Sequence, residues 1–430
     1  MILIYWKGKV GNAVAKLCQT EGISYEIRDD WDAPSDFSLY EYIIPSPGIA
    51  EAHTIYKTGK VVTELDFAYK FLPKQFSIVA VTGTDGKSTT SWILYNIIKK
   101  EYFVNNEIFL SWNFDIPLSE TVSEIRERKL EKGTIVIEIS SFMSYGIGNH
   151  PDFSPFLADY SIFTNFKKDH LNWHAGIQWY LDAKMNLLKH TKKVSVVSDQ
   201  VKKYAEENNL TISFPSNTRF FATSHQEGSD DWTDGENIFI SGDALYKLSE
   251  TKFTGMHNAQ NILASTLVTT LMGIPQAKTV WYLKEIDWLE HRLEQIGTKD
   301  GIILVEDSKS TSAQSLEAAL GSYGKTKNLL LIAGGSDKWD TFNHLGELFR
   351  KRVKSLACIG ATKEHFIRLA EDKNIPYLAT DNLDEAVEFL FWKWQKDDVL
   401  MLSPGCASFW LFKDYFERAT KFREAIKKLP

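Results

Sequence analysis

The stretch Gly83-Thr84-Asp85-Gly86-Lys87-Ser88-Thr89 follows the apolar run Ser77–Val81 and leads into a helix-forming stretch, Ser91–Lys100. A strand, a glycine-rich turn and a helix in that order make a βα unit, which belongs in an α/β fold with mostly parallel strands. Glycines let the backbone come close to phosphate oxygens, and the helix start offers unpaired N–H groups. Lys87 supplies a cation and Ser88 a hydroxyl able to hold magnesium. Val81 stands where the full phosphate-loop motif has its first glycine, so this is a shorter variety. An ordinary glycine turn would need neither the strand before it nor the helix after it, and the three together favour a nucleotide triphosphate site.

The strand-then-helix pattern continues along the chain and breaks it into three blocks. With 430 residues, 43% hydrophobic and 24% charged, several cores are affordable. Residues 1–72 read as a small Rossmann-like domain, with strands Ile2–Tyr5, Ser24–Arg28 and Tyr42–Pro45 and a helix over Gly11–Glu21. Residues 73–287 read as a central phosphate-loop ATPase-like domain. Its strands lie near Thr134–Ile139, Tyr160–Thr164 and Val194–Val197, and its stretch Ser216–Asp243 reads as loops and short antiparallel strands. Residues 288–430 read as a C-terminal Rossmann-like domain with strands Ile302–Val305, Leu329–Ala333, Leu356–Ile359 and Val399–Leu402.

Composition removes several classes of function. No apolar run approaches the roughly 18–20 residues that span a bilayer, and Met1–Tyr5 is too short for a signal-peptide core, so membrane insertion is not expected and a cytoplasmic location is. Cys18, Cys358 and Cys406 are scattered without metal-ligand spacing and are expected as free thiols. A net charge of −7 with no Lys/Arg block argues against nucleic acid.

In open parallel sheets ligands bind beyond the carboxyl ends of strands, so polar residues there are candidates for a site. Glu138 ends the run Thr134–Ile137 beside the phosphate loop, where a carboxylate suits a metal better than solvent. Asp169-His170 follows Tyr160–Thr164, although a histidine there, taken alone, is more often structural. Lys184 falls inside the apolar stripe Tyr180, Ala183, Leu187 of a helix over Ile177–His190. Burial would lower its pKa and suit a reactive amine or a carbamate, whereas a snorkelling stem is the plainer alternative. Three further strand ends carry Asp307-Ser308-Lys309, Gly334-Gly335-Ser336-Asp337-Lys338 and Ser403–Ser408. One such turn would be ordinary turn chemistry; three favour a crevice for a small dicarboxylate or a nucleotide phosphate.

With those residues in view, the chain resembles the Mur ligase family over nearly its whole length. The segments Thr82–Thr89, Glu138-Ile-Ser-Ser-Phe142, Asn165 through Asp169-His170-Leu171, Lys184, Gly255-Met-His257-Asn258 with Asn261, His291-Arg292, Asp307-Ser308-Lys309 and Ser403–Phe409 occur in the family's order. Ser-Pro-Gly-Cys-Ala-Ser-Phe, Lys338 and the ending Phe412–Arg418 are similar to the D-glutamate-adding branch. Departures are Trp6 in place of the first glycine after the first strand, Met143 where glutamine is usual, and Asn172 in place of a common aspartate.

The resemblance implies ATP-dependent joining of D-glutamate to UDP-N-acetylmuramoyl-L-alanine through an acyl phosphate, by a monomer. It implies Lys87, His170 and Lys184 as catalytic residues, and a pair of magnesium ions held by Ser88, Glu138, His170 and a carbamylated Lys184. ATP contacts carry over to Gly83, Thr84, Asp85, Gly86, Lys87, Ser88, Thr89, Asn258, Asn261, Arg292, Asp307 and Lys309. UDP-substrate contacts carry over to Lys9, Val10, Asp29, Asp30, Ser46 and Asn113, and contacts to glutamate carry over to Thr311, Lys338, Ser408 and Tyr415. The alternatives are an L-glutamate adder, a folylpolyglutamate synthase-like ligase acting on another acceptor, and a non-catalytic nucleotide-binding subunit.

Overall fold

The computed structural model describes the chain apart from residues 30–35, 50–52, 103–105, 113–115, 152, 170–172, 226–229, 254, 288, 324–326, 337–341 and 343–344. Asp30, Asn113, His170, Asn172 and Lys338 therefore lie outside the described residues. The chain divides into two compact units, Met1–Ile286 and Asp287–Pro430, and each is described by itself.

The first unit contains the phosphate-loop strand, Gln75–Thr82, inside a six-stranded sheet. The spatial order is Glu107–Ser111, Lys132–Glu138, Gln75–Thr82, Ala158–Phe163, Thr191–Ser198, Thr218–Phe221, and every neighbouring pair is parallel. The order switches direction at Gln75–Thr82, which opens a crevice at its carboxyl end. Its two neighbours are buried over nearly their whole length, as expected of strands covered on both faces. Thr218–Phe221 corrects the expectation for Ser216–Asp243: it pairs in parallel with Thr191–Ser198 at the sheet edge. The rest of that stretch does supply antiparallel strands, Trp232–Thr233, Asn237–Ile240 and Asp243–Lys247.

Residues at the start of the chain form a three-stranded parallel sheet in the order Tyr25–Arg28, Ile2–Tyr5, Tyr42–Pro45. The two-residue period of a strand sends Ile2 and Ile4 to one face and Leu3 and Tyr5 to the other. Ile2 and Ile4 join a buried cluster that runs through Val14 and Leu17 of helix Lys9–Thr20 to Val122 of helix Leu118–Glu127 and Ile135 of the large sheet. Two buried carboxylates reinforce that shared core. Glu64 accepts a hydrogen bond from the Ser119 N–H at 2.5 Å, and Asp66 accepts from the Phe156 N–H at 2.7 Å and the Gly148 N–H at 3.0 Å. Burial holds both carboxyls above the usual carboxylate range.

The second unit has a six-stranded sheet ordered Glu294–Lys299, Ile302–Glu306, Val399–Leu402, Leu329–Gly335, Val353–Gly360, Tyr377–Ala379. All pairs are parallel except the first, an antiparallel edge hairpin. Helices cover both faces, and apolar residues of the strands alternate between two buried clusters, Val305, Leu331 and Met401 on one side and Leu304, Ile332 and Leu402 on the other.

Candidate active site

Parallel register brings three chain segments together at the end of Gln75–Thr82. Val81 is level with Glu138 and Thr82 with Phe163, so the phosphate loop emerges between Glu138 and Thr164-Asn165. Those neighbours hold the loop's shape. The Asp85 N–H donates to Asn165 Oδ1 at 2.9 Å, the Thr164 hydroxyl donates to the Asp85 carbonyl at 2.6 Å, and the Thr84 N–H donates to the Asn165 carbonyl at 3.0 Å. Gly86 has φ +79°, a conformation that favours glycine, and a Cβ there would sit 2.4 Å from Asn261 Oδ1. Asn261 and Asn258 lie on helix Met256–Leu271, and Asn261 thereby abuts the loop.

Lys87 opens helix Lys87–Tyr102 and folds back, donating to the Gly83 carbonyl at 3.0 Å and the Thr84 carbonyl at 2.8 Å. The Ser88 hydroxyl donates to Glu138 Oε2 at 2.6 Å, with both residues buried. Two hard oxygen donors converging beside a lysine fit a magnesium ion with a phosphate group, and they are the residues that would hold it.

Lys184 is 2% exposed on helix Ile177–Lys189, and its Nζ donates to the Gly83 carbonyl at 2.7 Å. The snorkelling alternative is thereby set aside, because the amine ends inside the molecule on the phosphate loop. Burial first, and the Lys87 cation second, push its pKa well below that of an ordinary lysine. An uncharged amine is nucleophilic, which is what carbamate formation requires. Tyr180, one turn earlier, places its ring 4.7 Å from Lys184 Nζ and its hydroxyl 3.2 Å from Thr84 Oγ1. Sequence reasoning treated Tyr180 only as part of an apolar stripe; its i,i+4 spacing from Lys184 was the available signal. Lys167 was also missed, and its Nζ lies 3.4 Å from Asp85 Oδ2.

Of the residues expected to contact the UDP substrate, Lys9 and Val10 begin helix Lys9–Thr20 and the Ser46 N–H donates to the Tyr5 carbonyl at 3.0 Å. Asp29 accepts from the Lys7 N–H and lies 3.7 Å from Lys7 Nζ, so it closes the turn after the first strand.

In the second unit the strand ends gather a separate group. Asp307 Oδ2 accepts from the Ser403 hydroxyl at 2.7 Å and Oδ1 from the Leu293 N–H at 3.1 Å. Its burial pushes the carboxyl up to about 7. Lys309 Nζ lies 5.1 Å from the centre of the Tyr415 ring, and Ser408 is buried on the Ser403–Ser408 loop. Thr311 is half-buried just before helix Ala313–Ser322, and Arg292 has a buried Nε with no hydrogen-bond partner among the described residues. His291 Nδ1 is 2.5 Å from Glu306 Oε2, and Arg423 reaches Glu294 at 2.6 Å and Glu306 at 3.4 Å. Arg423 supplies the positive charge in that cluster, which reads as an ion-pair network.

A phosphate loop at a switch point, a carboxylate on its serine and a buried lysine on its first carbonyl define a nucleotide-using enzyme of the α/β class. The Mur ligase middle domain family matches residues 81–269. The UDP-N-acetylmuramoylalanine--D-glutamate ligase of Elusimicrobium minutum is 31% identical over 457 residues, covering 98% of this chain and 96% of the relative. The enzyme of the same name from Aquifex aeolicus is 30% identical, covering 99% and 98%. The chain belongs to the Mur ligase family. Its fold is also that of a pseudomurein peptide ligase type C from Methanothermus fervidus, with TM-score 0.62, 16% identity and coverage of 100% and 99%. UDP-N-acetylmuramate-alanine ligase MurC from Thermotoga maritima aligns with TM-score 0.63 at 14% identity, covering 99% of each chain.

Proposed function

We propose that this protein is an ATP-dependent ligase that joins D-glutamate to UDP-N-acetylmuramoyl-L-alanine in peptidoglycan precursor synthesis. The observation that carries this reading is full-length similarity to relatives of that name, together with a phosphate loop whose Ser88 meets Glu138 and whose Gly83 meets a buried lysine. The acceptor's terminal carboxylate takes the γ-phosphoryl group of ATP and ADP leaves. The glutamate amine then attacks the acyl carbon, phosphate departs with the bonding pair, and the nitrogen gives up one proton to solvent or a nearby base and keeps the other as the amide N–H.

Each side chain has a task in that sequence. Lys87 opposes the negative charge on the transferring phosphoryl group, and the loop N–H groups hold the remaining phosphates. Ser88 and Glu138 would hold magnesium, which when bound screens the two anionic reactants from each other. Lys184, as a carbamate, would add a second anionic ligand for magnesium, and His170 is assigned to the same task. Asn258 and Asn261 serve the adenine side, and Arg292, Asp307 and Lys309 are assigned to the nucleotide. Thr311, Lys338, Ser408 and Tyr415 bind the incoming glutamate, and Lys9, Val10, Asp29, Asp30, Ser46 and Asn113 bind the UDP substrate. The enzyme acts as a monomer in this reading. Among the described residues no helix is long and apolar enough to cross a membrane.

The test is mass spectrometry of UDP-N-acetylmuramoyl-L-alanine incubated with protein, ATP, magnesium and either D- or L-glutamate. A one-glutamate gain in the D tube alone supports the reading. A gain in the L tube alone reverses the stereochemistry of the pocket, and no gain in either overturns the assignment.

A further inference from the structure

Arg418 is fully buried on helix Tyr415–Lys428, yet among the described residues no carboxylate forms an ion pair with it. Its guanidinium instead donates to two backbone carbonyls on different loops, Nη1 to Cys406 at 3.0 Å and Nη2 to Ser308 at 2.7 Å. The third nitrogen, Nε, is buried with no hydrogen-bond partner among the described residues. Burial lowers its pKa to about 10, so the group remains charged at neutral pH.

A buried charge is costly, and its position shows what it is used for. The strands that feed the two loops, Ile302–Glu306 and Val399–Leu402, are paired in parallel, and Asp307 continues the pairing through its N–H to the Leu402 carbonyl at 2.8 Å. Past that point the ladder ends. Arg418 takes over one residue beyond Asp307, with one arm on each loop. Its helix begins at Tyr415, three residues earlier and on the same helical face, and Lys309 of the first loop lies over the Tyr415 ring. One rigid fork therefore sets the spacing of three elements: the loop of Asp307 and Lys309, the loop of Ser408, and the helix start at Tyr415.

We propose that Arg418 is a positioning residue that holds the loop of Ser408, assigned above to glutamate, in register with the loop of Asp307 and Lys309, so that its loss weakens use of glutamate more than use of ATP. This inference rests on the ligase reading above. Lysine cannot replace the fork, because a single ammonium offers no planar pair of donors to carbonyls on separate loops.

The experiment uses the full chain with UDP-N-acetylmuramoyl-L-alanine, ATP, magnesium and D-glutamate. Wild-type protein is assayed first; absence of product there overturns the ligase reading and this inference with it, whereas activity isolates the claim about Arg418. In Arg418→Lys the expected result is a KM for glutamate raised about tenfold or more, with a smaller change in the KM for ATP. In Arg418→Ala the same pattern is expected, partly reversed by added methylguanidinium. Thermal unfolding reports whether each variant is folded, and if the alanine variant is not, the lysine variant decides alone. A folded Arg418→Lys protein with wild-type KM values overturns the proposal. So does a loss of active fraction with both KM values unchanged, since that is the signature of a structural brace only.

Discussion

The phosphate-loop end of the first unit and the strand-end crevice of the second are built on the same parallel-sheet logic but handle charge differently. In the first, two lysines turn onto neutral carbonyls, and the nearest buried acid, Glu138, is met by a hydroxyl. In the second, acids and bases are wired to one another, with His291, Glu306, Glu294 and Arg423 in one network and Asp307 tied to Ser403. The first arrangement presents cationic and hydrogen-bonding capacity to an anionic ligand. The second spends its charges on fixing loop geometry. Substitutions in the first should therefore remove chemistry from a folded protein, and those in the second should disturb affinity and stability together.

The largest effect is expected at Lys184. Lys184→Ala should abolish turnover while leaving a folded protein, and bicarbonate with a short carboxylic acid should partly restore product. Full activity in this variant, measured by the mass assay, would take the carbamate out of the mechanism and break the contrast at its strongest point. Glu138→Gln keeps the shape and the Ser88 contact but removes the charge. It should lower turnover about a hundredfold, with the loss eased by raised magnesium. A loss unaffected by magnesium would make Glu138 a brace for Ser88.

This contrast also explains what was legible in the sequence. The phosphate loop is local: seven consecutive residues between an apolar run and a helix carry their own strand–turn–helix context. Glu138 and Lys184 were readable because each breaks an apolar pattern, the first at a strand end and the second inside a helical stripe. Thr164 was not, because its hydroxyl meets the loop only after strands distant in sequence come into register. The edge strand Thr218–Phe221 was hidden by its polar surroundings, which match turns as well as they match a half-covered edge. In the second unit, the Arg418 fork joins Ser308 to Cys406, a contact that no periodicity announces.

Glycine substitutions measure the same difference in backbone terms. Gly334 has φ +113°, and a Cβ there would lie 2.1 Å from the Ile359 carbonyl oxygen, a backbone atom that cannot turn aside. Gly86→Ala meets the side-chain tip of Asn261, which can rotate. Gly334→Ala should therefore cost more stability than Gly86→Ala, about 4 kcal/mol or more against about 1–3 kcal/mol in denaturant unfolding. Gly86→Ala should in turn lose more affinity for an ATP analogue. The reverse order for stability would mean that the second sheet yields more readily than its packing indicates.

The smallest effect is a pH dependence, in which Asp307 and Lys184 carry opposite signs. Asp307 has its carboxyl raised from 3.8 to about 7 by burial, so between those values the folded state binds more protons than the unfolded one. Its cost to stability is fully present above about pH 7 and fades as pH falls toward 3.8. Lys184 shifts the other way: its lowered pKa makes the unfolded state the better proton binder, so its contribution improves as pH rises. Asp307→Asn removes the first titration and leaves the second. The midpoint of thermal unfolding should accordingly favour wild type over Asp307→Asn more at pH 5 than at pH 8. A difference that is flat across that range would mean that Asp307 keeps its charge in the folded protein, with the Ser403 hydroxyl, the Leu293 N–H and Arg292 outweighing desolvation.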